Sequence, residues 1–451
     1  VRDAGGGRGP IAGGIVGGLA DNAYETDFST STTNSNMDIT GDTAISANST
    51  ALALRFNTGT PTTVTIDAGR TLSLSGMNGG NIPGILIPPH AGAVGIHGGN
   101  INQGLNNTLH IHHYGANPLV IGARFSVGSG SAVAKCGGGE LILTNDLNQF
   151  AGLHLYQGTV TCDALTNGGV ASQLGTSSSI TLGDGTLRYV GTGHTSNKRI
   201  ILRGAGTLDA SGSGPLEFNQ ETNYVFMTQA SNGGNDYQVT LTGSGTGIIN
   251  GGLNLVLGGV TKEGPGLWVL NGSNAFEGNT YVRQGTLAIN GMMYGNIILA
   301  GGTLTGTGDF EAASILVDNG GTLTPGGSVG TLVACDITMK PGSVYAWEVD
   351  AGNGTADLAR ATSVLQLPED APNSVTVKVV QVGGSSAISM PIFAFDTLIG
   401  DTNALVVDTS GTGYGQPSIT ASDTSISVGM IPEPAAAGAM LLAILLRRRR
   451  A

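Results

Sequence analysis

Charge, aromatic rings and cysteine are all scarce in this sequence. Charged residues make up 11% of the chain and aromatic ones 5%. The balance is acidic, with a net charge of −12, so the body has no basic surface for nucleic acid or an anionic membrane. The three cysteines (Cys136, Cys162, Cys335) cannot all pair within one chain, which excludes a disulfide-built scaffold. Helical periodicity is almost absent, so a helical bundle is excluded. Glycine is abundant instead, at 76 residues, without a collagen period. The apolar share of 40% argues against disorder. Short strand-like runs between Gly, Asn, Ser and Thr turns remain. Examples are TVTID (Thr63 to Asp67), TLHIHHY (Thr108 to Tyr114) and PLVIGARF (Pro118 to Phe125).

Two segments share one layout. KEGPGLWVLNGSNAFEGNTYVRQGTL (Lys262 to Leu287) opens on K-x-G-x-G, passes an apolar burst and closes on G-T-L. KCGGGELILTNDLNQFAGLHLYQGTV (Lys135 to Val160) keeps the same distance from opening Lys to closing Gly, Lys135 to Gly158 against Lys262 to Gly285. A fixed period of this size marks a stacked repeat, in which no coil buries its apolar face alone. Further Gly-Thr-Leu closures stand at Gly185–Leu187, Gly206–Leu208, Gly302–Leu304, Gly321–Leu323 and Gly330–Leu332. In each, Gly is expected to turn with positive φ, Thr to start a strand and Leu to enter the core.

Both segments resemble the autotransporter-associated β-strand repeat, and TPGGSVGTL (Thr324 to Leu332) resembles an element near the end of such passengers. The resemblance implies an all-β, right-handed parallel β-helix in an exported or cell-surface protein, and no chemistry. The expected organisation is an N-terminal segment over 1–36, a β-helix over 37–342, a β cap over 343–430 and a tail over 431–451. The chain starts at Val1, which reads as a fragment or a processed chain. Gly9 to Ala23 lacks the apolar core of a signal peptide.

The tail combines Pro432, Glu433 and Pro434, an apolar run from Ala435 to Leu446, and Arg447, Arg448, Arg449 and Arg450. It resembles a PEP-CTERM sorting signal, which implies recognition by an exosortase-type membrane protease. The apolar run would hold the precursor in the inner membrane as a short helix, and the arginines would keep their end cytoplasmic. No run of amphipathic ten-residue strands ending in an aromatic residue closes the chain, which disfavours a passenger carrying its own outer-membrane barrel.

No catalytic residue, metal ligand or cofactor is assigned from the sequence. Asp146, Asp163, Asp184, Asp209 and Glu217 are scattered singly, although residues of different coils can converge. His110 and His112 share one strand face at a spacing that suits a divalent metal. No Asp, Glu or Cys lies nearby in sequence, so the HIHH run, His113 included, is expected to be a polar outer face. Cys136 and Cys162 stand about one coil apart; burial as small apolar residues is expected, with a bridge between adjacent rungs as the alternative. Trp268 is expected in the core, and Trp347 sits in the cap. The functional expectation is an exported structural or adhesive protein of the cell surface or extracellular matrix, with an extracellular polysaccharide as a partner. The alternative is a carbohydrate-active β-helix enzyme, either a lyase or a hydrolase.

Overall fold

Strand pairing is parallel almost throughout. The computed structural model describes residues 24–74, 82–126, 130–220, 226–228, 237–415 and 417–433. The chain divides into two compact units, Val1–Thr280 and Tyr281–Ala451. Among the described residues the helical content is one 3-10 turn, Thr402–Ala404, capped by the Asp401 carboxylate.

The first unit stacks three parallel ladders. One runs from Asn36–Ile39 through Ala53–Phe56, Gly84–Ile87, Thr108–His113, Ala132–Cys136 and Gly152–Cys162 to Ser179–Tyr189 and beyond. A second joins Glu140–Leu143 to the later half of Gly152–Cys162, then Ser179–Tyr189, Thr207–Ala210, Val239–Thr242 and Val260–Lys262. A third joins Thr192–Ser196, Gly214–Phe218, Thr246–Ile249 and Leu267–Leu270. Strand Gly152–Cys162 serves two ladders because it turns a corner at Gly158, whose φ is +72°. Few side chains other than glycine tolerate that conformation.

The second unit repeats the plan. Thr286–Ile289, Thr303–Thr305, Thr322–Leu323, Val344–Asp350, Val375–Gly383 and Leu405–Asp408 pair in parallel. Parallel pairing therefore runs on after the Gly-Thr-Leu rhythm fades. Antiparallel pairing joins Val344–Asp350 to the short strand Thr355–Ala356, and Ile388–Ile399 and Ser418–Ala421 each to Ser425–Met430.

The leucines of the closures stack as expected. Leu187 faces Leu208, and Leu287, Leu304 and Leu323 form one column that continues on Tyr345. All are buried, as is Leu332, which belongs to another ladder facing Ala359. Leu304→Ala should destabilise the second unit by about 2–5 kcal/mol, because neighbours fixed by strand register cannot collapse into the gap. Urea unfolding of that variant measures it. Trp268 and Trp347 are both fully buried, and their indole N–H groups donate to the carbonyls of Thr242 (2.9 Å) and Asp357 (2.8 Å).

The closing glycines act differently from expectation. Gly285 does take positive φ, at +65°, but the glycines at 185, 206, 302 and 321 do not. Their requirement is room. A Cβ on Gly321 would lie 2.3 Å from the Leu299 carbonyl oxygen, and one on Gly206 would lie 2.7 Å from Leu182 Cβ. Thus the strand start lies against the preceding coil too closely for any side chain.

Cys136 and Cys162 are not bridged, and Cys335 is free as well. The coil here steps from Lys135 to Leu155, so the residue one coil on from Cys136 is Tyr156. Cys162 lies past the corner, in the second ladder, facing Tyr189. Burial pushes its thiol up to about 12, which makes it an inert core residue.

Candidate functional site

The repeat's opening lysine is wholly buried. Lys135 Nζ donates to the carbonyls of Cys136 (3.1 Å), Gly137 (2.6 Å) and Gln157 (3.3 Å). Lys262 Nζ donates to Glu263 and Gly264, both at 2.7 Å. The K-x-G-x-G pattern follows from this cage. The first glycine, at φ +78° for Gly137 and +67° for Gly264, turns both carbonyls toward the ammonium. The second makes room for the preceding coil: a Cβ on Gly139 would lie 2.6 Å from the His113 ring, and one on Gly266 2.3 Å from Gly245 O. The closing Gly158 makes room for the lysine itself, since a Cβ there would lie 2.8 Å from Lys135 Nζ. Lys198, outside any repeat, is caged in the same way by the carbonyls of Gly175 and Ser177. Burial pulls all three ammonium groups down to about 8. Sequence reasoning used Lys135 and Lys262 as markers and missed their role, for which the lone cation within a glycine turn was the signal; Lys198 carried no such signal.

The scattered acids are engaged between coils by an arginine or by neutral hydrogen-bond donors. Arg188 bridges Glu140 (3.3 Å) and Asp209 (3.0 Å), and Thr161 also donates to Glu140. Gln173 donates to both Asp146 and Asp163. Asp184 accepts from the Ala205 amide, and Glu217 from Thr195 and Asn250. The carboxyl raised to about 7 by burial is Asp357, and it is held inside the second unit by the amides of Gly330 (2.8 Å) and Glu348 (3.0 Å). None of these arrangements presents an acid and a base to a common open point.

The outer surface of the first ladder is different. On Thr108–His113 the alternation sends Leu109, Ile111 and His113 inward and His110 and His112 outward. The HIHH run is therefore an outer face only in part, because a period-2 strand must bury its third histidine. Register places Ala134 between His110 and His154, and sets Cys136 directly opposite His112. The rings form rows. His110 stacks on His112 (centroids 6.1 Å) and His112 on Tyr114 (6.4 Å), while His154 stacks on Tyr156 (6.1 Å). Ala132, Ala134 and Cys136 form a lane of small side chains between the two rows. Burial lowers the pKa of His110, His112 and His154, so these imidazoles are neutral at neutral pH.

Of the sorting residues, Pro432 pairs with Tyr414, and the Glu433 amide donates to the Gly413 carbonyl (2.8 Å). The Glu433 side chain is exposed. Pro434, the apolar run and Arg447, Arg448, Arg449 and Arg450 lie outside the described residues, as does most of the 1–36 segment. Among the described residues no helix is long and apolar enough to cross a membrane.

Residues 260–289 match the passenger-associated-transport-repeat family. The chain is 36% identical over 175 residues to the adhesin BmaC autotransporter of Brucella suis biovar 1 (strain 1330), covering 35% of this chain and 4% of that protein. It is 42% identical over 105 residues to an extracellular serine protease of Serratia marcescens, covering 22% of this chain and 10% of that protein. The chain thus spans a small fraction of the length of either relative. The Lys262 to Leu287 segment carries an autotransporter passenger-type repeat, set in an all-β chain of stacked parallel strands.

Proposed function

We propose that this chain forms a right-handed parallel β-helix of an exported protein and acts at the cell surface or in an extracellular matrix as a structural or adhesive element. The passenger-type repeat at 260–289 carries this reading. The features shared by its two copies are structural: the lysine ties its own turn, and the second glycine lets that turn lie against the preceding coil, which suits a repeat whose work is mechanical rather than chemical. An extracellular polysaccharide is the proposed partner of the exposed faces. Export ends, in this reading, with an exosortase-type protease acting at Pro432, Glu433 and Pro434. Until then the apolar run would hold the precursor in the inner membrane, with Arg447 to Arg450 on its cytoplasmic side.

The intact mass of the protein recovered from the native cell surface and medium tests this. The wild type should be shortened near Pro432 to Pro434, and a Glu433→Gln chain should stay full-length in the membrane fraction. A shortened Glu433→Gln chain overturns the sorting role. A full-length wild type in the soluble cytoplasm overturns export itself.

A further inference from the structure

The outer face of the first ladder brings together three groups that the sequence keeps apart. One ring nitrogen each of His110 and His112 and the Sγ of Cys136 lie within 4.8 Å of one another. Both histidines are half-buried, and Cys136 is 5% exposed with a free thiol. The Nδ1 of His112 is shielded from solvent and has no hydrogen-bond partner. A buried imidazole nitrogen without a partner, set beside an unbridged thiol, is a pair of donor atoms that the protein itself leaves unused.

We propose that His110, His112 and Cys136 bind one divalent transition-metal ion of the zinc class. Two imidazoles and a thiolate are a borderline-soft donor set that suits zinc far better than calcium or magnesium, which take oxygen ligands. Metal–nitrogen and metal–sulfur bonds of about 2.0–2.3 Å place tetrahedral ligand atoms about 3.5 Å apart. The three groups therefore close by about 1 Å on binding, through side-chain rotation alone. Backbone positions stay fixed, because three consecutive strand pairings of one ladder hold Thr108–His113 and Ala132–Cys136 in register. The fourth position falls to water or to a donor from a partner molecule. On binding, the sulfur–metal bond forms as the S–H bond breaks, and the proton leaves to solvent.

The experiment uses the full chain, reduced and freed of metal by a chelator, titrated with Co2+ and then Zn2+. The expected result is one Co2+ per chain with a thiolate-to-cobalt charge-transfer absorption, bleached by Zn2+. Cys136→Ser should abolish that absorption, and Cys335→Ser should leave it intact. Because Cys136→Ser alters a buried strand, His112→Ala and His110→Ala are measured too; both keep the thiol and change outward side chains. Each should weaken Co2+ at least tenfold, about the least that loss of even an outer-shell partner costs a metal site. A His90→Ala chain, altered at an exposed histidine outside the cluster, should bind as the wild type does. Absence of the charge-transfer absorption in the wild type, its survival in Cys136→Ser, or unchanged affinity in both histidine variants overturns the site.

Discussion

Replacing Lys135 by methionine is expected to destabilise the first unit by about 2–4 kcal/mol. Methionine is close to lysine in length and fills the same space, so the change tests the ammonium group rather than packing. Three carbonyls, of Cys136, Gly137 and Gln157, lose their donor inside the stack. A buried polar group left unpaired costs about 1–3 kcal/mol. Against this stands relief of the buried charge, which the fall from 10.5 to about 8 sets at roughly 3 kcal/mol. The unpaired carbonyls win because the backbone at Gly137 and Gly158 is set by left-handed turns and cannot swing them out to water. Hydrogen exchange of the amides over 135–160 reads the loss locally. Protection unchanged from the wild type would mean that the cage carries no net stability.

Acidification from pH 7 to about pH 4 should weaken the first unit and strengthen the second. The first effect comes from His113, whose side chain is fully buried. Burial, and then the nearby charge of Lys135, lower its pKa from 6.5 to about 4. Between those values the unfolded chain binds a proton that the folded chain does not, so stability is lost as pH falls from 6.5 toward 4, by roughly 3 kcal/mol across the window. The second effect comes from Asp357, which burial raises from 3.8 to about 7 against the pull of two backbone amides. Here the folded chain keeps a proton that the unfolded chain has lost. Stability therefore rises as pH falls from 7 toward 3.8, by roughly 4 kcal/mol. Exchange protection at pH 7 and pH 4.5, followed separately in the two units, should move in opposite directions. His113→Phe should flatten the first response and Asp357→Asn the second. Parallel movement of both units would refute the assignment.

The stacked-strand plan was legible because it depends on period. A Gly-Thr-Leu triplet recurring at one-coil steps can only align its leucines, as Leu287, Leu304 and Leu323 do. The role of the glycine was less legible, because φ and closeness are different demands on the same residue. Gly285 meets the first and Gly321 the second, and the letter G records neither. The candidate site was half visible. Alternation along one strand places His110 beside His112, but Cys136 arrives from the next coil, at a step that Leu109 facing Val133 sets. That step differs from those of neighbouring coils, so spacing alone could not find the third ligand. The same variation removes the alternative of a Cys136–Cys162 bridge, whose separation matches a typical coil but not the local one, and leaves both as buried residues as expected.

Coil length is therefore free to vary where face register is not. Leu304 reaches Leu323 by a short path, whereas Tyr345 reaches Val377 in the same ladder by a much longer one, yet both pairs face each other in register. The faces act as a ruler that measures only strands, and the corners absorb whatever the chain inserts between them. A one-residue slip within a face would turn every inward side chain outward. A corner can lengthen by many residues and leave the column of leucines untouched. New surface can thus be added to this protein at its corners without altering the core beneath.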